Sequence, residues 1–173
     1  GAIVVGQSNS NSGYEAFRWQ TGLGMVGLGD LSGGSFNSAA HSVSDNGAVI
    51  VGASLSEFGL EAFHWTNSGG MIGLGDLDGG SFSSRADGVS ADGMVIVGTG
   101  DSSSGPEAFR WSFSEGMVGL GDLAGGTFSS RAHEISADGS VVVGYSASGF
   151  GTEAFLWNSS LGMIGLGDLP GGD

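Results

Sequence analysis

Carboxylates at a fixed interval are the first chemistry this sequence offers. Glu15, Glu61, Glu107 and Glu153 each open a Glu-Ala-Phe triplet and lie 46 residues apart. Asp30, Asp76, Asp122 and Asp168 recur at the same interval inside Gly-Leu-Gly-Asp-Leu. Two carboxylates at the right separation can hydrolyse a glycosidic bond, and several carboxylate oxygens together suit Ca²⁺. Trp19, Trp65, Trp111 and Trp157 follow Phe17, Phe63, Phe109 and Phe155 by two residues. Such rings can stack on sugars or fill a core. The histidines are His41, His64 and His133, of which only His41 and His133 occupy equivalent places, so no shared zinc site is expected.

Repetition weighs these chemistries against each other. A catalytic centre is made once, whereas a residue present in every unit belongs to the unit. The four glutamates are therefore read as acceptors for turn amides. The four aspartates are read as turn caps, with Ca²⁺ ligation as the alternative. The Phe and Trp pairs are read as packing, and no catalytic or cofactor-binding residue is assigned. A Gly-x-Ser-x-Gly elbow and an EF-hand loop are both missing. Tyr14 and Tyr145 do not recur at equivalent positions, and Phe150 has Phe58 as its single counterpart. These three aromatic residues in variable loops are the candidates for a unique ligand site. Asn158-Ser159-Ser160 matches a glycosylation sequon.

The elements that carry these residues follow from the same interval. Ser44-Asp45-Asn46-Gly47, Ser90-Ala91-Asp92-Gly93 and Ser136-Ala137-Asp138-Gly139 are tight turns, in which Asx bonds its own backbone and Gly supplies positive φ. Each follows a short strand, represented by Phe128 to Ile135. After each turn comes a β-branched run, Val49-Ile50-Val51, Val95-Ile96-Val97 or Val141-Val142-Val143, matched near the start by Ile3-Val4-Val5. Such runs suit strands buried on both faces. The Glu-Ala-Phe-x-Trp strand follows, with a variable and exposed fourth position (Arg18, His64, Arg110, Leu156). Met25 to Leu31 and its copies make the last strand, where Gly27 and Gly29 leave a shallow patch expected to receive an aromatic ring. No segment has helical period. The expectation is an all-β chain of tandem 46-residue, four-stranded antiparallel units, β-propeller-like, with a β-solenoid as the alternative.

Composition narrows the partners. The chain has 18 Asp and Glu, four Arg and no Lys, for a net charge of −14. Phosphate binding needs basic side chains, so nucleic acid is not an expected partner, and no apolar run is long enough to insert in a membrane. Cysteine is absent and Gly contributes 37 of 173 residues without a Gly-X-Y period.

Turn, apolar strand, loop and Trp-ended strand together resemble WD-repeat and TolB-type propeller blades, although Ala137 stands where Pro is usual. The run Gly-Leu-Gly-Asp-Leu-x-Gly-Gly, then Ser-x-Asp-Gly, then Val-Val-Val-Gly is similar to the HAF family of extracellular bacterial repeats, with Glu-Ala-Phe in place of His-Ala-Phe. That resemblance covers residues 1–173 and implies secretion, a location outside the cell or at its surface, and a repeat fold without a settled enzyme activity. The chain reads as one repeat domain of four units, the first lacking its first strand, within a longer or assembled array. The expected role is that of a non-enzymatic structural or adhesive surface or fibre component, self-associating through repeat packing and strand edges. A carbohydrate-binding module that takes glycans and a secreted hydrolase with a carboxylate pair are the alternatives.

Overall fold

The computed structural model describes residues 2–169. It is all-β, and no helix occurs among the described residues. The first unit contributes β1 (Ile3–Asn9), β2 (Tyr14–Gln20) and β3 (Gly24–Gly27). The second is β4 (Gly33–Val43), β5 (Val49–Ser56), β6 (Leu60–Thr66) and β7 (Gly70–Gly73). The third is β8 (Gly79–Val89), β9 (Val95–Ser102), β10 (Gly105–Ser112) and β11 (Gly116–Gly119). The fourth is β12 (Gly125–Ile135), β13 (Val142–Ser148), β14 (Gly151–Asn158) and β15 (Gly162–Gly165).

Within a unit the strands pair as an antiparallel meander, β4 with β5, β5 with β6 and β6 with β7. This differs from the parallel coils of a solenoid. Neighbouring units touch through single parallel pairs, Tyr14 with Asn37 and Leu60 with Ser83. These bridges link the first three units into one hydrogen-bonded sheet, β12 to β15 form a second, and the units pack on one another through their faces. The outer strands β3, β7, β11 and β15 have four residues each, short enough to offer little edge for stray pairing.

Local chemistry accounts for the hairpins. In the third unit the Ser90 hydroxyl donates to Asp92 (2.7 Å), Asp92 accepts from the Met94 amide (2.9 Å), and Ser90 Oγ accepts from the Val95 amide (3.0 Å). Gly93 follows at φ +78°, a conformation that a Cβ would strain. Asn46 serves the same role in the second unit. The first strand is longer than its Phe-to-Ile core because it begins at the Gly-Gly pair; β12 runs from Gly125. The last strand is shorter than expected. Gly29 sits at φ +79°, so Leu28 to Leu31 turns away from the sheet.

Register explains the glycine that ends each β-branched run. Gly52, Gly98 and Gly144 lie opposite Phe63, Phe109 and Phe155. A bulge in the preceding strand pushes a carbonyl toward each glycine, so a Cβ there would collide with the Ala39, Arg85 or Arg131 oxygen.

The core is repeated rather than central. Each junction between units mates two unlike faces. Between the second and third units, Val51, Ala62 and Leu74 meet Ala86, Ile96 and Phe109, with Trp111 and Met117 at the margin. Ala16, Leu28 and Leu31 meet Ile50 and Phe63 at the first junction, and Val97 and Ala108 meet Val142 and Phe155 at the third. Both faces of a middle unit are therefore buried, which is why its β-branched run is continuous.

Candidate functional site

Each repeated glutamate spans the unit rather than facing solvent. Glu15 accepts from the Gly29 amide (3.1 Å), Glu61 from Gly75 (3.1 Å), Glu107 from Gly121 (2.9 Å) and Glu153 from Gly167 (2.6 Å). The same carboxylates lie over Gly27, Gly73, Gly119 and Gly165, where a Cβ would collide with them. The glycine patch therefore receives a carboxylate, not the aromatic ring the sequence suggested. The physical reason is register. Phe17 and its copies lie opposite Gly27 and its copies across the strand pair, but their rings turn to the glycine on the other side: Phe17 lies about 3.1 Å from a Cβ built at Gly6. The amide freed where the chain leaves the sheet at Gly29 then finds its acceptor in Glu15.

Buried serines join the units. Ser38, Ser84 and Ser130 accept from the amides of Ala16, Ala62 and Ala108 at 2.9 Å. Each also donates to a carbonyl of the preceding unit, Gly29, Gly75 or Gly121. Ser54 and Ser146 accept from the amides of Leu31 and Leu123. The matching position in the third unit is Gly100, and here Asp76 takes over. Its carboxylate accepts from the amides of Leu77 (2.8 Å), Ser83 (2.6 Å) and Asp101 (3.2 Å). A Cβ at Gly100 would stand 2.6 Å from Asp76 Oδ1. The missing hydroxyl and the inward carboxylate are one compensation.

The aspartates thus have different surroundings. Burial raises the pKa of Asp76 against three backbone donors, and burial with the nearby Glu15 charge raises that of Asp30. The turn residue Asp138 is held down to about 2 by the hydroxyl of Ser136, then by the hydroxyl and the amide of Ser140, while Ser90 lowers Asp92. Asp30, Asp76, Asp122 and Asp168 lie in separate units. Among the described residues no group of three or more His, Asp or Glu gathers around one point. His41 lies near the Ala86 carbonyl and Asp87, and His133 lies beside Tyr145. His64 is buried beside Trp111 and Phe113, its pKa lowered by burial. The fourth position of the aromatic strand is accordingly not a uniformly exposed one. It faces the next unit, and this tertiary placement could not be read from its variability.

Trp65, Trp111 and Trp157 are partly buried against the junction cores, while Trp19 is exposed. Tyr14 opens β2 in the first unit and Tyr145 lies within β13 in the fourth, so neither tyrosine is in a loop as the sequence suggested; only Phe150 is in a turn, and the three do not share one loop. Tyr14 and Phe150 are exposed and Tyr145 tilts against the His133 ring, 5.2 Å away.

Two apolar faces carry no neighbour among the described residues. On the first unit Val4 is 49% and Met25 55% exposed, whereas Ile50, Ile96 and Val142, the counterparts of Val4, are fully buried. On the fourth unit Leu166 is 61% and Leu169 86% exposed, whereas their counterparts Leu28 and Leu31 are 7% and 9% exposed. The first face is of the Phe-Trp-Met kind and the second of the Ala-Leu-Val kind.

The arrangement of the strands is similar to that of two solved proteins. TolB from Acinetobacter baumannii superposes with a TM-score of 0.65 at 14% identity, over 95% of this chain and 43% of that one. A putative TolB from Agrobacterium tumefaciens gives 0.65 at 14% identity, over 97% of this chain and 62% of that one. The chain thus spans less than two thirds of either protein, and the likeness is one of fold. No family model matches the sequence, and no curated protein does.

Proposed function

We propose that this chain is a non-enzymatic structural or adhesive component, a run of β-propeller blades whose end faces pack against further blades. One observation carries the reading: the two uncovered apolar faces are the two unlike halves of the junction that the chain already makes three times. The Ala-Leu-Val face beside Leu166 is suited to receive a Phe-Trp-Met face such as that of Phe17, Trp19 and Met25. Such a contact is heterologous, so repeated application gives a ring if the rotation closes and a filament if it does not. An apolar patch of this kind marks an interaction surface. A place outside the cell rests on the likeness of the repeats to extracellular HAF-type units.

The test is mass photometry and negative-stain electron microscopy over a concentration series. Rings of one mass, or filaments, are the expected result. Leu166→Asp and Met25→Asp alter exposed side chains and should each return the protein to monomers with the fold intact. A protein that stays monomeric at the highest concentrations, or variants that assemble as the parent does, would overturn the proposal.

A further inference from the structure

Where one unit meets the next, a groove opens beside the Trp of the following unit. Equivalent places occur at the three junctions: the two outer ones are open, and side chains fill the middle one. In the middle one, His64 stacks 5.7 Å from the Trp111 ring at an interplanar angle of 29°. Phe113 stands edge-on to both, 4.7 Å from Trp111 and 5.5 Å from His64. The third groove is lined by Arg110, Glu115, Asp138, Trp157 and Ser159, and Arg110 is already paired with Glu115 at 2.9 Å. Ser159 and Asn67 stand at the position of Phe113, so both outer grooves leave open the space that a ring takes up in the middle one.

The first groove differs in charge. Its walls are Leu23, Val26, Leu28 and Trp65, and its polar groups are Arg18, Gln20 and Asn67. The cavity measures about 210 Å³, room for one small ring. Leu23 stands where the third unit has Glu115, so the Arg18 guanidinium has no carboxylate within 4 Å among the described residues. Its Nη2 donates to Gln20 (2.8 Å), while its Nε is buried without a hydrogen-bond partner. The guanidinium lines the cavity, and a carboxylate is the partner that a guanidinium fork fits best. Two amide side chains beside an indole suit a ring that carries hydroxyls, because the indole covers the C–H face while amides bond the hydroxyls.

We propose that the groove between the first and second units binds a single hexuronate residue, with its carboxylate on Arg18 and its ring against Trp65. Gln20 and Asn67 take its hydroxyls. A neutral hexose lacks the anion, and a simple carboxylate lacks the hydroxyls. The net charge of −14 opposes a long polyuronate at a distance, so a terminal or isolated residue is the better ligand.

The experiment is a titration of the full chain with methyl glucuronide, methyl glucoside and benzoate, followed by amide chemical shifts. Saturable binding of the uronide, at least tenfold tighter than that of the glucoside or of benzoate, is expected. Arg18→Gln should remove that preference. Asn67→Phe installs the ring that the middle groove already holds, and should block binding while the spectrum remains that of a folded protein. No response to the uronide would overturn the proposal. So would equal affinity for the glucoside or benzoate, or unchanged uronide binding in Asn67→Phe.

Discussion

Removal of one ring at a middle junction, compared with its copy at an uncovered face, tests the energetics of this fold most directly. Phe109 is fully buried, with Gly98 opposite and the Val51, Ala62 and Leu74 face of the preceding unit against it. Phe109→Ala leaves a cavity that backbone on one side and a neighbouring unit on the other hold open. The expected cost is about 3–5 kcal/mol. For a chain of this size it should lower the Tm by about 6–20 °C. Phe17 occupies the same place in the repeat, but it is only half-buried because its face has no unit against it. Phe17→Ala should cost about 1–2 kcal/mol, on the scale of partial burial. Urea and thermal unfolding at low protein concentration, read by tryptophan fluorescence, measure both. In an array where each unit touches only its neighbours, the middle substitution also divides the stack, whereas the end one frays it. Equal costs for the two would refute the argument that stability resides in the junctions between units.

Two further outcomes follow from particular side chains. Asp138 has its pKa held down to about 2 against an ordinary 3.8, so its contribution to stability is fully present above the ordinary value and is lost as pH falls through about 2. Asp138→Asn should therefore flatten the acid limb of the urea midpoint between about pH 4 and 2, a change that Asn46 has already made in the second unit. Ser54→Ala should cost about 1–3 kcal/mol in urea unfolding, because the amide of the buried Leu31 loses its acceptor, whereas Ala at exposed Ser12 should leave the midpoint unchanged.

Much of the unit was legible in the sequence, because the signals are local. Ser-Ala-Asp-Gly contains its own turn: the hydroxyl, the carboxylate and the positive-φ glycine are all within four residues. A run such as Val95-Ile96-Val97 states its two-sided burial by lacking a polar alternate, and Ile96 and Val97 are fully buried. The 46-residue interval needed only counting. These features depend on neighbours along the chain, and a sequence is a record of such neighbours.

What escaped that reading depends on neighbours across a junction. The glycine patch at Gly27 could have held a ring or a carboxylate; the turn of the Phe17 ring toward Gly6 gave it to Glu15. The variable position at Arg18, His64 and Arg110 looked exposed, yet it faces the next unit, where His64 is buried. The Gly100 and Asp76 exchange joins residues 24 apart and makes sense only once the third unit lies against the second. Composition and period are sums over one chain, so they specify the strands and turns of a unit. Which side chain meets which across a junction is set by how two such units seat on one another, and that geometry exists only after both have folded.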